Sequence, residues 1–190
     1  MAERTVNWLA GIIVNPVDTL RDISQQKPIG WGILIYLVVS FLSVLTANGD
    51  IPPAMKPWIV ISSPVLAIIT LFIYSGLYHL FARLFGGTGD FWGLFSAVSF
   101  TSFVFIFLPP LNLLSQLGGI VAVLTMGLLS FAVGIWNLVL EVIAVRENHQ
   151  ISTGLSVLTV LIPLVILIIL ALVLLLVIGA AVYLFFAASF

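Results

Sequence analysis

The chain has 190 residues, 62% of them hydrophobic and 7% charged, with a mean hydropathy of +1.31. A soluble domain carries about 25% charged residues, so water is not the main solvent here, and a net charge of −1 leaves no basic patch to neutralise nucleic-acid phosphates. The lack of cysteine excludes disulfides, thiolate metal sites and cysteine nucleophiles.

Residues 1–28 read as an amphipathic lead-in. Val6, Leu9, Ala10, Ile13, Val17 and Leu20 fall near helical spacing, with Glu3, Arg4, Asp18, Arg21 and Asp22 between them. Asn15-Pro16 reads as an N-cap followed by proline at the first helical position, with Asp18 near the positive end of the helix. Two short helices broken near Asn15 are expected, lying at the cytoplasmic membrane interface or folded against a bundle. The apolar stretch Trp8–Val14 is too short, and ends too abruptly, for a cleavable signal peptide.

Five apolar stretches of spanning length follow: Ile29–Asn48, Trp58–Phe85, Phe91–Leu108, Ile120–Val145 and Ser156–Ala188. They do not alternate in polarity as barrel strands do. The expected fold is therefore an all-α integral membrane protein, a bundle of five transmembrane helices over residues 29–190 preceded by short amphipathic N-terminal helices. The gaps at Gly49–Pro57, Gly86–Asp90, Pro109–Gly119 and Arg146–Thr153 are short and rich in turn formers. With five spans, Arg4, Arg21, Lys27, Arg83 and Arg146 fall on one side of the membrane and only Lys56 on the other. Basic residues in short loops stay cytoplasmic, which predicts a cytoplasmic N-terminus and an external C-terminus. Pro64 and Pro163 are expected bends, since proline removes a backbone donor.

The fourth span carries the clearest inner face: Gly127, Ser130, Gly134, Asn137 and Glu141 are spaced three, four, three and four apart. Small residues let membrane helices approach and polar ones hydrogen-bond across the contact; Gly127, Ser130 and Gly134 are the expected packing stripe. Tyr36, Ser40, Ser43 and Ala47 in the first span, and Ser96, Ser99 and Ser102 in the third, repeat the pattern. Leu164–Ile178 is an unbroken aliphatic run, expected to face lipid or a second copy of the chain.

A carboxylate inside a span must be paired, hydrated or near the interface. Glu141 sits in the last turns of the fourth span, and His79 and Arg83 lie four apart at the same end of the second. Together with Asn137 they form a candidate polar cluster. It is either an anchor in which Arg83 reaches the interface and pairs with Glu141, or a site for a lipid phosphate or ligand that responds to His79 protonation. Gly86-Gly87-Thr88-Gly89-Asp90 lacks the Lys-Ser/Thr of a phosphate loop; a left-handed Gly86 or Gly87 ending one helix and Asp90 capping the next is the expected role. Trp31, Trp58 and Trp92 fall near span ends, as an aromatic belt requires. Two distant histidines make no metal site, and no nucleophile motif or cofactor fingerprint is present.

The stretch His79-Leu80-Phe81-Ala82-Arg83-Leu84-Phe85-Gly86-Gly87-Thr88-Gly89-Asp90-Phe91, the Ile135-Trp136 pair and the five-span count resemble the Yip domain family, named for Ypt/Rab-interacting membrane proteins. The resemblance runs from Asn15-Pro16 to the last helix. It implies a five-helix membrane protein with a cytoplasmic N-terminus, and a family whose eukaryotic members act in vesicle traffic, assemble with related membrane proteins and contact prenylated Rab GTPases. This chain has a pre-membrane segment of only about 28 residues and no Asp-Leu-Tyr-Gly-Pro motif, so it looks like the short prokaryotic members and Rab-type GTPase binding is in doubt. The expected role is a non-enzymatic, membrane-organising or trafficking-type scaffold in a prokaryotic cytoplasmic membrane. Its expected partners are membrane lipids and either further copies or other membrane proteins. The alternative is a small oligomeric transporter or channel for an ion, lipid or small solute.

Overall fold

The computed structural model describes residues 2–46, 54–115 and 118–187. Asn48 and Ala188, the expected ends of the first and fifth spans, and Ala47 lie outside the described residues. Among those residues there is no strand, and eight α-helices follow in chain order: α1 (Ala2–Val14), α2 (Pro16–Gln26), α3 (Ile29–Thr46), α4 (Lys56–Leu84), α5 (Phe91–Thr101), α6 (Leu108–Ser115), α7 (Ile120–His149) and α8 (Thr153–Ala187). Five segments are long and apolar enough to cross a bilayer: α3, α4, Phe91–Leu113, α7 and α8. The all-α, five-span architecture read from the sequence is the one observed.

The N-terminal helices meet at Asn15, where Pro16 opens α2 at no cost because its missing N–H would be unpaired there anyway. The Asn15 side chain bonds Asp18 (2.9 Å) rather than the helix backbone. Both helices fold against one end of the bundle, α2 between α5 and α7. The buried face of α1 is Thr5, Trp8 and Ile12, not the expected line through Val6 and Ile13, both of which are exposed. Trp8 sets that rotation: its indole N–H donates to Asp22 Oδ2 (2.7 Å) and its ring stands edge-on to Phe100 at 5.7 Å.

The third span is the core of the bundle. In its most apolar 18-residue stretch 61% of residues are buried, against 6% in α8. Every residue from Gly93 to Thr101 is buried. Ser99 donates to the Ser96 carbonyl (2.7 Å) and Ser102 to that of Ser99 (2.6 Å), whereas the Ser96 hydroxyl has no partner among the described residues. Gly32 of α3 lies so close to Ser99 that no Cβ would fit. From α4 the stripe Ser63, Ala67, Leu71, Ser75, Tyr78 and Ala82, spaced three or four apart, turns inward.

Pro109-Pro110, expected in a loop, instead opens α6 within its first turn. The two prolines cannot donate to the carbonyls of Phe105 and Ile106, so the α-helical ladder fails before them. Ser102–Phe107 tightens into a 3-10 helix, with the Leu108 N–H turned to the Phe105 carbonyl. The third span thus runs on to Leu113 rather than stopping at Leu108.

Away from the end where α1 and α2 dock, the bundle opens. In α8 every described side chain from Leu164 to Val182 is exposed, and the first half of α7 exposes Ile120, Val121, Leu124, Leu128 and Phe131. A Cβ at Gly127 or Gly134 would touch nothing within 4 Å. The expected packing stripe is therefore not closely packed at its two glycines, although Ser130 and Gly134 are half-buried, and the close approaches lie instead at Gly11, Gly32, Gly87, Gly89 and Gly93.

Candidate functional site

The docked end is held by charge. Glu147, at the last turn of α7, accepts from Arg21 of α2 (2.7 Å) and from Arg146 (2.7 Å), with its own side chain only 9% exposed. Lys27, which ends α2 in a left-handed conformation (φ 50°), pairs with Asp90 (3.1 Å), and Arg4 pairs with Asp22 (3.5 Å). The glycine loop does the structural work expected of it. Gly86 is left-handed (φ 84°), Gly87 N–H returns to the Ala82 carbonyl (2.8 Å), and Asp90 Oδ1 caps α5 by accepting from Gly93 N–H (3.0 Å). Burial alone would push the Asp90 carboxyl up, but the Gly93 and Trp92 N–H groups and the Lys27 ammonium outweigh it and hold it below the usual carboxylate range.

The loop wraps the C-terminus of α7. Thr88 N–H donates to the His149 carbonyl (3.0 Å) and Asn148 Nδ2 to the Asp90 carbonyl (3.0 Å). Asn148 Nδ2 also lies 3.0 Å from His149 Nδ1, and His149 Nε2 lies 3.0 Å from His79 Nδ1. A donating Asn148 makes His149 Nδ1 an acceptor, so Nε2 carries the hydrogen towards His79. Arg83 donates to the Gly87 carbonyl (3.3 Å), and among the described residues it has no carboxylate partner.

The four residues of the sequence-read polar cluster therefore separate into two places. His79 and Arg83 belong to the loop side, with His149. Glu141 and Asn137 face the interior, where Glu141 Oε1 accepts from Asn137 Nδ2 (2.8 Å) and Glu141 Oε2 accepts from Tyr78 Oη (2.9 Å). No ion pair joins Glu141 to Arg83 among the described residues. The reason is helical phase: Tyr78 and His79 are about 100° apart around α4, so when Tyr78 points at α7 the His79–Arg83 face points at the loop.

Glu141 lies on the wall of a cavity of about 290 Å³ between α3, α4, the third span, α7 and α8. Tyr36, Tyr74, Tyr78 and Asn137 share its polar end, and Phe105, Gly134 and Leu164 bound it further along the bundle. Asn137 is 6% exposed, and its Oδ1 is buried without a hydrogen-bond partner among the described residues. The arrangement sets one carboxyl group and one idle amide oxygen beside the hydroxyls of Tyr36 and Tyr74, with no basic side chain on the wall among the described residues.

The Yip1 domain profile matches residues 10–176. The chain belongs to the Yip1 family. The matched range of this Yip1 chain begins inside α1, ends within α8 and contains every residue named at both polar places. No curated protein and no solved structure matches it.

Sequence reasoning missed Tyr78 and His149. Tyr78 carried a signal, since a tyrosine within a span brings a hydroxyl that has to find a partner, and Tyr74 precedes it by one turn. His149 sat in a polar run that read as a connection, although α7 continues through it.

Proposed function

We propose that this Yip1-family protein is a non-enzymatic, membrane-organising scaffold of a prokaryotic cytoplasmic membrane, with its ion-paired end and N-terminus in the cytoplasm. The reading is carried by one contrast. The end with α1 and α2 is locked by buried contacts and ion pairs, whereas most side chains of α7 from Ile120 to Phe131 and all described side chains of α8 from Leu164 to Val182 are exposed. A small exposed residue with nothing within reach of a Cβ, Gly127, suits a helix supplied by another chain. The exposed Val6, Ile13 and Val14 on α1 likewise suit an interfacial setting. A photo-crosslinking residue placed at Gly127 or Leu174 in native membranes should trap discrete protein adducts, either a second copy or another membrane protein. Lipid adducts alone at both positions would refute the scaffold.

The cavity beside Glu141 supports a second reading, a small transporter or channel. In proteoliposomes, Glu141→Gln and Asn137→Ala should then abolish a flux that the wild type shows. A wild type that passes none of a broad panel of ions and solutes rules this reading out.

A further inference from the structure

We infer that the Glu141 cavity is a binding site for the ammonium group of an amphiphile. The inference does not depend on transport or on scaffolding.

Electrostatics selects the ligand's sign. Glu141 receives one hydrogen bond on each oxygen, from Tyr78 and Asn137, and no basic side chain faces it among the described residues. Asn137 Oδ1 beside it is buried and idle. A phosphate or carboxylate ligand would need an arginine or lysine on the wall; a cation that donates or simply neutralises is what the site lacks. Three tyrosines add the second element. Tyr36, Tyr74 and Tyr78 all line the cavity, and the rings of Tyr74 and Tyr78 lie 6.1 Å apart, tilted by 52°. Aromatic faces attract ammonium groups, and more strongly where water is excluded.

The direction of the cavity selects an amphiphile. Glu141 lies eight residues, roughly 12 Å, from the charged end of α7. Because α7 is longer than the hydrocarbon thickness, that depth is only a few ångström below the headgroup boundary. Towards Phe105, Gly134 and Leu164 the wall is apolar except for Thr101 and Ser102, whose hydroxyls donate to the carbonyls of Val98 and Ser99, and Leu164 begins the unbroken exposed run of α8. Head near the charged end and chain towards the mid-plane is how an amphiphile of that leaflet already stands. The volume holds a head group and the start of a chain, and the rest of the chain continues along α8.

The test uses the full chain in nanodiscs of phosphatidylglycerol, which carries no amine. Dodecyltrimethylammonium should raise the melting temperature by roughly 3–6 °C at ten times its apparent Kd, while dodecanol at the same mole fraction should not. Glu141→Gln should weaken the response about tenfold or more. Tyr74→Leu, which leaves both Glu141 hydrogen bonds in place, should weaken it roughly three- to thirty-fold. A parallel series replaces part of the phosphatidylglycerol with phosphatidylethanolamine. A rise there that Glu141→Gln removes identifies a lipid headgroup as the source, and a rise with dodecyltrimethylammonium alone identifies a free single-chain ammonium amphiphile. Equal responses to dodecyltrimethylammonium and dodecanol overturn the inference, as does an undiminished dodecyltrimethylammonium response in Glu141→Gln. Should Glu141→Gln fail to fold, an unchanged apparent Kd in Tyr74→Leu overturns it as well.

Discussion

Alanine at Gly93 and alanine at Gly127 should shift stability in opposite directions, although both are glycine-to-alanine changes inside spanning helices. A Cβ at position 93 would stand 2.5 Å from Asn148 Oδ1, 2.6 Å from the Ser24 carbonyl oxygen and 2.9 Å from Asp90 Oδ2. The Ser24 oxygen is backbone of α2, so relief to ordinary contact requires α2 and α5 to separate by roughly 0.8 Å. Overpacking of this kind costs about 1–3 kcal/mol. The helix-propensity gain of alanine over glycine offsets at most about 1 kcal/mol, and less in the first turn of α5, where Gly93 sits. A net loss of about 1–2 kcal/mol lowers the melting temperature of a chain of this size by roughly 2–8 °C. At Gly127 nothing lies within 4 Å, so only the propensity gain remains, a rise of roughly 2–4 °C. Thermal unfolding of both variants by circular dichroism, on monomeric protein in one detergent, reads the sign directly. A Gly93→Ala protein as stable as wild type, or a Gly127→Ala protein that loses stability, would refute the placement of close packing at the docked end.

Tyr78→Phe leaves one oxygen of Glu141 without its donor and should cost about 1–2 kcal/mol, a fall of roughly 2–8 °C in the same unfolding assay. Asp90 is held below the usual carboxylate range, so its contribution is complete above the unfolded value near pH 4 and is lost as pH falls through the lower folded value. Wild-type stability should therefore drop faster below about pH 4 than that of Asp90→Asn, which can still cap α5 but cannot pair with Lys27 as an ion; superimposable acid profiles would contradict this. In the cysteine-free background, a cysteine at Thr88 should react with impermeant reagent only from the cytoplasmic side and one at Lys56 only from outside, and the reverse pattern would invert the orientation.

What the sequence made legible follows from what one helix can reveal about itself. Length and hydropathy specified the spans, the Gly86–Asp90 loop announced its own left-handed turn and cap, and Asn15-Pro16 marked the break between α1 and α2. Periodicity placed Gly127, Ser130, Gly134, Asn137 and Glu141 on one face. Yet a face does not name its neighbour, and that stripe passes from open space at Gly127 and Gly134 to hydrogen bonds at Asn137 and Glu141. Depth and charge brought Glu141 together with His79 and Arg83 on paper; a one-residue difference in phase on α4 put Tyr78 there instead. Pro109-Pro110 misled because proline ends a helix it interrupts but begins a helix it opens, and only the chain's path distinguishes the two.

The uneven packing has a physical cause that joins the scaffold to the pocket. Between helices in lipid there is no hydrophobic driving force, because a lipid chain is as apolar as leucine, so helices hold where polar groups or tight small-residue contacts hold them. At the charged end those contacts are plentiful: Arg21 and Arg146 on Glu147, Lys27 on Asp90, Asn148 on the loop backbone, and Tyr78 on Glu141. Further along, α8 from Leu164 to Val182 consists of aliphatic residues, alanine and a glycine, which bind lipid and protein chains about equally well. The cavity lies where the first regime gives way to the second. Glu141 and Asn137 stand at its polar end, Gly134 leaves its wall open, and Leu164 begins the stretch of α8 whose described side chains are all exposed. A site at such a boundary is rigid on its charged side and adaptable on its apolar side, as recognition of one head group on chains of differing length requires.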